Sequence, residues 1–207
     1  MPSKKPKLAE AEAQVADSVA YLMERGFLNG WKSLLPDSLQ KEITERAENF
    51  IQWAEEDGTP YWRIEAFMAG IGGDRVWWND CECDPQPDYP EIIGEWAKLT
   101  LGKLTPDRVE EEWDDESVAI RVHWNGAIHE LQARNDGDWL DLAVLFQLNA
   151  IIPESAGRFC YCAQDDQTAQ VLFLTLEEIE QLRARGWVLF ARPEDVPARK
   201  PIDWSSF

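Results

Sequence analysis

The Asn125-Gly126 dipeptide, which separates two runs of alternating apolar and polar residues, is the feature that most constrains the fold of this chain. Asn-Gly favours the positive backbone φ angles of a two-residue type I′ turn, and therefore predicts a β-hairpin. With this dipeptide as the turn, Val122 lies opposite His129 and Ile120 lies opposite Leu131. Because side chains alternate between the faces of a strand, this apolar set should point into a core.

The opposite face of the same hairpin should be the wetter one. The register places Arg121 opposite Glu130, and we expect these two residues to form a cross-strand ion pair. A slip of one residue would move every apolar side chain to the other face, so the register is a strict prediction.

The charge balance excludes several classes of function. The chain has 207 residues with 39 acids and 20 bases, and its formal net charge is −19. Nucleic-acid binding depends on positive charge, so we expect no nucleic-acid partner. The same sign disfavours an anionic membrane surface, and no apolar run approaches the ~18 residues of a membrane-spanning helix. The N-terminal residues lack the apolar centre of a signal peptide, so we expect a cytoplasmic protein.

The distribution of apolar residues predicts an α+β fold, in which N-terminal helices pack with a mainly antiparallel sheet and two or three covering helices. We divide the chain into a mobile tail (1–7), a helical part (8–73), an α+β part (74–192) with an acidic loop region (80–116), and an extended tail (193–207).

Apolar periodicity and capping residues predict the individual elements. We expect helices that begin at Leu8, Asp37, Tyr61, Pro90, Trp139 and Thr175. The helix from Trp139 should continue to Ala150. We expect strands over Arg75–Asn79, Val109–Trp113, Val118–Trp124, Phe159–Ala163, Val171–Leu174 and Trp187–Phe190.

Four cysteines occur in two pairs, Cys81-x-Cys83 and Cys160-x-Cys162. Structural zinc sites favour two to four residues between paired ligands, whereas one residue separates each pair here. A spacing of two on a strand places both thiols on one face, where cysteine serves as a small buried apolar residue. We therefore expect no bound metal.

The chain shows no recognisable catalytic set. His123 and His129 are the only histidines, and no serine, cysteine or acid stands in a known nucleophile motif beside them. We interpret His129 as a semi-buried, hydrogen-bonded residue of the hairpin. We expect no catalytic residues and no cofactor, and favour a binding protein over an enzyme.

Negative charge is concentrated in one segment of the chain. Residues 74–116 contain 14 acids and 4 bases. This run either keeps an exposed edge soluble or forms a surface that attracts a basic protein partner, with Trp113 as an apolar anchor. The candidate partner-binding residues are Asp80, Glu82, Glu110, Glu111, Glu112, Trp113, Asp114, Asp115 and Glu116.

The eleven tryptophans support a second interpretation. Tryptophans beside carboxylates are typical of carbohydrate-active or carbohydrate-binding proteins, in which the ring stacks on a sugar. The absence of a signal peptide weighs against this alternative.

Three segments resemble small, acidic immunity-type proteins of bacterial toxin–immunity systems. They are the W-x-G-x-x-x-E-L hairpin (Trp124–Leu131), the D-W-L-D sequence (Asp138–Asp141) and the F-L-T-x-E-E…G-W sequence (Phe173–Trp187). The resemblance covers the C-terminal half of the chain and transfers no functional residues. It implies a cytoplasmic inhibitor that neutralises a toxin by plugging its active site. Because nuclease toxins are usually basic, an acidic inhibitor can compete with nucleic acid for the same surface.

The cysteine spacing generates the first testable prediction. All four thiols should be reduced and metal-free, since neither pair has the spacing of a zinc site. Elemental analysis of untagged protein purified under reducing conditions should find no stoichiometric zinc. One zinc ion per chain would contradict the prediction.

Overall fold

A computed structural model of the chain describes residues 8–56, 60–72, 75–162 and 167–196. The predicted tail 1–7, most of the predicted tail 193–207 and the predicted strand end Ala163 lie outside these residues. Within the described part, the α-helices are α1 (Leu8–Glu24), α2 (Pro36–Glu56), α3 (Tyr61–Gly72), α4 (Tyr89–Leu99), α5 (Val144–Ile151) and α6 (Leu176–Ala184).

Two antiparallel sheets accompany these helices, which confirms the predicted α+β class. The strands are β1 (Val76–Asp80), β2 (Arg108–Trp113), β3 (Ser117–Trp124), β4 (Ala127–Arg134), β5 (Arg158–Cys162), β6 (Thr168–Leu174) and β7 (Leu189–Phe190). One sheet has the strand order β1-β6-β5-β7, and the other is the meander β2-β3-β4.

The four-stranded sheet separates two hydrophobic cores, and β6 contributes to both. Leu172 and Leu174 face the core that is formed with α1, α2, α3 and α6. Ala169, Val171 and Phe173 face the core that is formed with α4, α5 and the three-stranded sheet. Because successive side chains point to opposite faces, a strand that is buried on both faces must be apolar at nearly every position. The helices of the predicted N-terminal part therefore pack directly on the sheet of the predicted α+β part.

The hairpin is confirmed in its register. Val122 pairs with His129 and Ile120 pairs with Leu131, and both Ile120 and Val122 are fully buried. The prediction that Arg121 forms an ion pair with Glu130 is wrong, however. Arg121 Nη2 donates to Glu112 Oε2 at 2.9 Å, because β2 pairs with the other side of β3 and brings a carboxylate nearer than that of Glu130.

The helix predicted over residues 139–150 is wrong in its first five residues. The backbone of Trp139 forms antiparallel bridges with Glu82 and Asp136, and Leu140 N donates to Cys81 O at 2.8 Å. These contacts keep Trp139 and Leu140 out of a helix, residues 142 and 143 form a turn, and α5 begins only at Val144. Apolar spacing alone could not reveal a partner that lies 57 residues away along the chain.

The tail predicted to begin at residue 193 starts as part of the fold instead. Pro193–Asp195 is a short 3₁₀-helix. Asp195 Oδ2 accepts hydrogen bonds from Arg183 Nη2 and from the Ala191 backbone, both at 2.9 Å. These bonds attach the segment to α6 and to the residue that follows β7.

The capping box predicted for the last helix is confirmed. The Thr175 hydroxyl accepts from the Glu178 backbone N–H at 3.2 Å, and the Glu178 carboxylate accepts from the Thr175 N–H at 2.9 Å. The same carboxylate accepts from Arg75 at 2.7 Å, so this helix start is also tied to the residue just before β1. Burial by itself raises the pKa of Glu178, but the hydrogen bonds from Arg75 and from the Thr175 N–H, followed by the charge of Arg75, lower it overall.

A fully buried carboxylate joins the N-terminal helices to the segment that follows α6. Glu65 on α3 accepts from Arg185 Nε at 2.8 Å, from Trp187 Nε1 at 2.8 Å and from Ser18 Oγ at 2.5 Å. The guanidinium of Arg185 also lies over the Tyr21 ring, 4.3 Å from its centroid. Such a charge is tolerated in a core only because each oxygen is hydrogen-bonded and a cation is adjacent.

We expect the Glu65→Ala variant to lose about 3–5 kcal/mol of unfolding free energy. The buried Trp187 and Ser18 donors lose this acceptor, and Arg185 keeps only its ion pair with the exposed Asp17 among the pairs described. The control is Asp115→Ala, which removes an exposed acid and should change stability by less than about 0.5 kcal/mol. Urea denaturation followed by circular dichroism measures the free energy of unfolding of both variants. Equal stability of the two would contradict the role assigned to Glu65.

Candidate functional site

The nine predicted partner-binding residues lie on three different elements. Glu110–Trp113 belong to β2, Asp114–Glu116 form the turn between β2 and β3, and Asp80 and Glu82 lie at the end of β1. Because side chains alternate along β2, its three glutamates do not share one face.

Two of the β2 glutamates lie on a face of mixed charge. Glu110 Oε2 is 2.7 Å from His123 Nε2 and Glu110 Oε1 is 2.5 Å from Arg108 Nη2. The hydrogen bond from His123, followed by the charge of Arg108, lowers the pKa of Glu110. The register also places Arg121, Arg134, Glu112 and Glu130 on this outer face, so its arginines and glutamates balance.

Glu111 and Trp113 point to the inner side of β2 and serve the fold. Glu111 Oε2 accepts from the Tyr89 backbone N–H at 3.0 Å, which satisfies a free donor at the start of α4. Trp113 is half-buried in the core, with its ring centroid 6.1 Å from that of the fully buried Tyr89. This packing makes Trp113 a part of the core boundary rather than an exposed anchor.

The β2–β3 turn separates structural from exposed acids. Asp114 Oδ1 accepts from the backbone N–H groups of Glu116 at 2.8 Å and Ser117 at 2.7 Å, and these bonds lower the pKa of Asp114. The carboxylates of Asp115 and Glu116 are exposed and have no partner among the described residues. The turn thus projects two uncompensated charges.

The loop of residues 135–139 joins this turn to the end of β1. Asn135 Nδ2 donates to Asp114 O at 2.7 Å, and Cys83 N donates to Asp138 O at 2.6 Å. The bridge between Trp139 and Glu82 completes the connection. The fold therefore brings together a surface that we name the acidic end, consisting of Asp80, Glu82, Asp114, Asp115, Glu116, Asp136 and Asp138.

Sequence reasoning missed the contribution of this loop. Asp136 and Asp138 flank a glycine with a φ of +75°, and the Asn-Asp-Gly-Asp sequence after an edge strand signals an exposed acidic turn. Trp139 is 41% exposed beside these acids. Trp139 directly follows Asp138, and it is more exposed than Trp113, which the sequence interpretation had chosen as the aromatic anchor.

An open groove of about 710 Å³ lies at the acidic end. It is lined by Asp114, Asp115, Glu116, Ser117, Gln132, Ala133, Arg134 and Gln147. Arg134 is the basic residue of this lining, and its guanidinium contacts Asp136 Oδ2 at 3.1 Å. Three carboxylates against one cation give the groove a negative potential that suits a cationic ligand.

The cysteine pairs lie on opposite faces of the four-stranded sheet. Cys160 and Cys162 belong to the core beneath the N-terminal helices, and Cys81 belongs to the other core. Burial raises the pKa of Cys160 to about 12 and that of Cys81 to about 11, which keeps both thiols protonated at neutral pH. In the described residues, no group of three or more His, Cys, Asp or Glu side chains is placed to hold a metal ion.

No protein-family model matches the chain, and neither a curated protein nor a solved structure shows significant similarity to it. Among the described residues, no helix is both long enough and apolar enough to cross a membrane.

The different surroundings of two tryptophans predict different costs of truncation. Trp113→Ala should lower the free energy of unfolding by about 2 kcal/mol or more, because it opens a cavity beside Tyr89. Trp139→Ala should cost less than about 1 kcal/mol, because its ring is substantially exposed. Urea denaturation of both variants tests this order, and the reverse order would contradict the placement of the two rings.

Proposed function

We propose that this chain is a protein-binding module that recognises a basic partner protein through the acidic end. The observation that carries the proposal is a groove lined by three consecutive acids, in which the carboxylates of Asp115 and Glu116 have no partner among the described residues. Backbone contacts connect this acidic turn to the loop of Asp136 and Asp138, and connect that loop to Glu82. Acids that serve only the fold, such as Glu65 and Glu111, are instead hydrogen-bonded within the chain.

Charge complementarity favours a basic protein over other ligands. Exposed charges of one sign steer an oppositely charged partner and raise the association rate. The groove supplies concavity, and Trp139 supplies an aromatic side chain that a partner can desolvate, as at many interface hot spots.

Neutralisation of a bacterial toxin is the biological role that we propose for this binding. The likeness of three segments to immunity-type proteins supports this role, and so does the net charge of −19. A basic toxin that acts on nucleic acid presents a cationic surface, which the acidic end would cover in competition with the substrate.

Carbohydrate binding is the alternative, and the exposed Trp139 ring beside Asp136 and Asp138 is the observation that favours it. A sugar would stack on this ring with little dependence on salt, because its recognition involves no net charge. A screen of the purified protein against an oligosaccharide array, with Trp139→Ala as the control variant, tests this alternative.

Capture of a partner from the native host, followed by binding kinetics, tests the proposal. The triple variant Asp115→Lys, Glu116→Lys and Asp136→Lys should slow association about tenfold or more, and should flatten its dependence on salt. Trp139→Ala should mainly raise the dissociation rate.

The matched control reverses three exposed acids on other surfaces, with the variants Glu45→Lys, Glu48→Lys and Glu177→Lys. It changes the net charge equally and should leave most of the association rate intact. If both triple variants slow association equally, only net charge matters and the acidic end is not the binding surface. An unchanged rate in the acidic-end variant would also refute the proposal.

A further inference from the structure

The outer edge of β4 carries backbone groups that point away from its sheet. The two-residue turn makes Trp124 and Ala127 a hydrogen-bonded pair. Every second residue from Ala127 onward therefore bonds to β3, and the residues between them direct their N–H and C=O groups outward. Ile128 and Glu130 are the first two of these outward residues.

In the half of this edge that lies farther from the Asn125-Gly126 turn, side chains already bond to the outward backbone groups. Gln147 on α5 accepts from the Gln132 N–H at 2.9 Å and donates to the Gln132 carbonyl at 2.6 Å. Asp141 Oδ2 accepts from the Arg134 N–H at 2.9 Å. The Gln147 amide makes the two hydrogen bonds that a neighbouring strand would make. The N–H and C=O of Gln132 therefore point outward from the sheet, as the register requires.

The half of this edge nearer to the Asn125-Gly126 turn has free backbone groups in the part of the chain that the structure describes. The backbone N–H and C=O groups of Ile128 and Glu130 have no partner among the described residues. Ile128 is also 58% exposed, and residues 127–131 contain neither the lysine nor the proline that often protects an edge strand. A cavity of about 390 Å³ lies beside this edge, with Glu130, Gln132 and Gln147 in its lining.

We infer that an extended basic segment of the partner protein adds to this edge as a further strand, antiparallel or parallel to β4. The inference rests on the proposed function and specifies how the partner is held. Backbone hydrogen bonds to Ile128 and Glu130 give affinity, and side chains at alternate positions give specificity. Ile128 and Glu130 lie on the same face, so the segment places lysines or arginines on that face, where their charges lie beside Glu130 and an aliphatic stem covers Ile128.

Charge determines this choice of occupant. The open edge runs from Glu130 toward the groove that holds Asp115 and Glu116. Four acids and two arginines line the two cavities beside it, so the net charge near the edge is negative and favours a cationic segment. A second copy of this chain also carries a charge of −19, and like charges disfavour pairing of two such edges.

Amide hydrogen exchange measured by NMR tests the inference directly, with a synthetic heptapeptide of alternating lysine and valine as the probe. The amides of Ile128 and Glu130 should exchange fast in the free protein, and at least about tenfold more slowly with saturating peptide. The amides of Ala127, His129 and Leu131 bond to β3 and should be protected in both states. A glutamate–valine heptapeptide should have no effect.

A pair of variants at one position separates the backbone from the side chain. Glu130→Pro removes the outward N–H without breaking a bond to β3, a position at which an edge strand tolerates proline. It should weaken peptide binding at least about tenfold, whereas Glu130→Gln keeps the N–H and should weaken binding only a few-fold. If Glu130→Pro does not fold, the exchange measurement on the unaltered protein decides.

The outcomes distinguish this inference from the proposed function. Unchanged exchange at Ile128 and Glu130 with saturating peptide overturns strand addition. If the resonances of Asp115 and Glu116 shift in that same titration, binding at the acidic end stands and only strand addition fails. Protection of the two edge amides, with full binding in the charge-reversed triple variant, would support the edge and overturn the acidic end.

Discussion

The burial of β6 on both faces is the constraint on which the rest of the structure depends. Each face of this strand needs its own cover, so the chain supplies helices on one side and a second sheet with α4 and α5 on the other. The packing is close at Gly157, just before β5, where a Cβ would lie 2.7 Å from the Phe173 ring. Its φ of +129° is a second reason why this position suits only glycine.

The large excess of acid divides into two groups with different physical roles. Glu65, Glu111 and Asp114 accept hydrogen bonds that close helices and turns or tie distant helices together. Asp115 and Glu116 gain no such bonds within the described residues, and their mutual repulsion costs stability. In the function proposed here, a cationic partner would offset this repulsion by neutralising the two charges beside the groove.

The two proposals depend on different parts of one surface. Steering by the acidic end acts over a Debye length of about 8 Å at physiological ionic strength, whereas strand addition needs contact at the backbone of β4. An encounter complex held by charge could therefore precede the ordering of a partner segment along Ile128 and Glu130. Gln147, which already bonds to the same edge, sets where such a segment must end.

The sequence by itself determined the local structure. The Asn125-Gly126 turn, its register and the capping box at Thr175 follow from short-range stereochemistry, and the structure confirms them. The strand spacing of Cys160 and Cys162 likewise predicted their burial. Only the tertiary structure decided which acids are exposed, because that depends on partners far along the chain. Trp139 pairs with Glu82 and therefore lies in a loop, whereas Trp113 packs against Tyr89 at the edge of the core. Sequence spacing alone could not show which of these two tryptophans is exposed near the acidic residues.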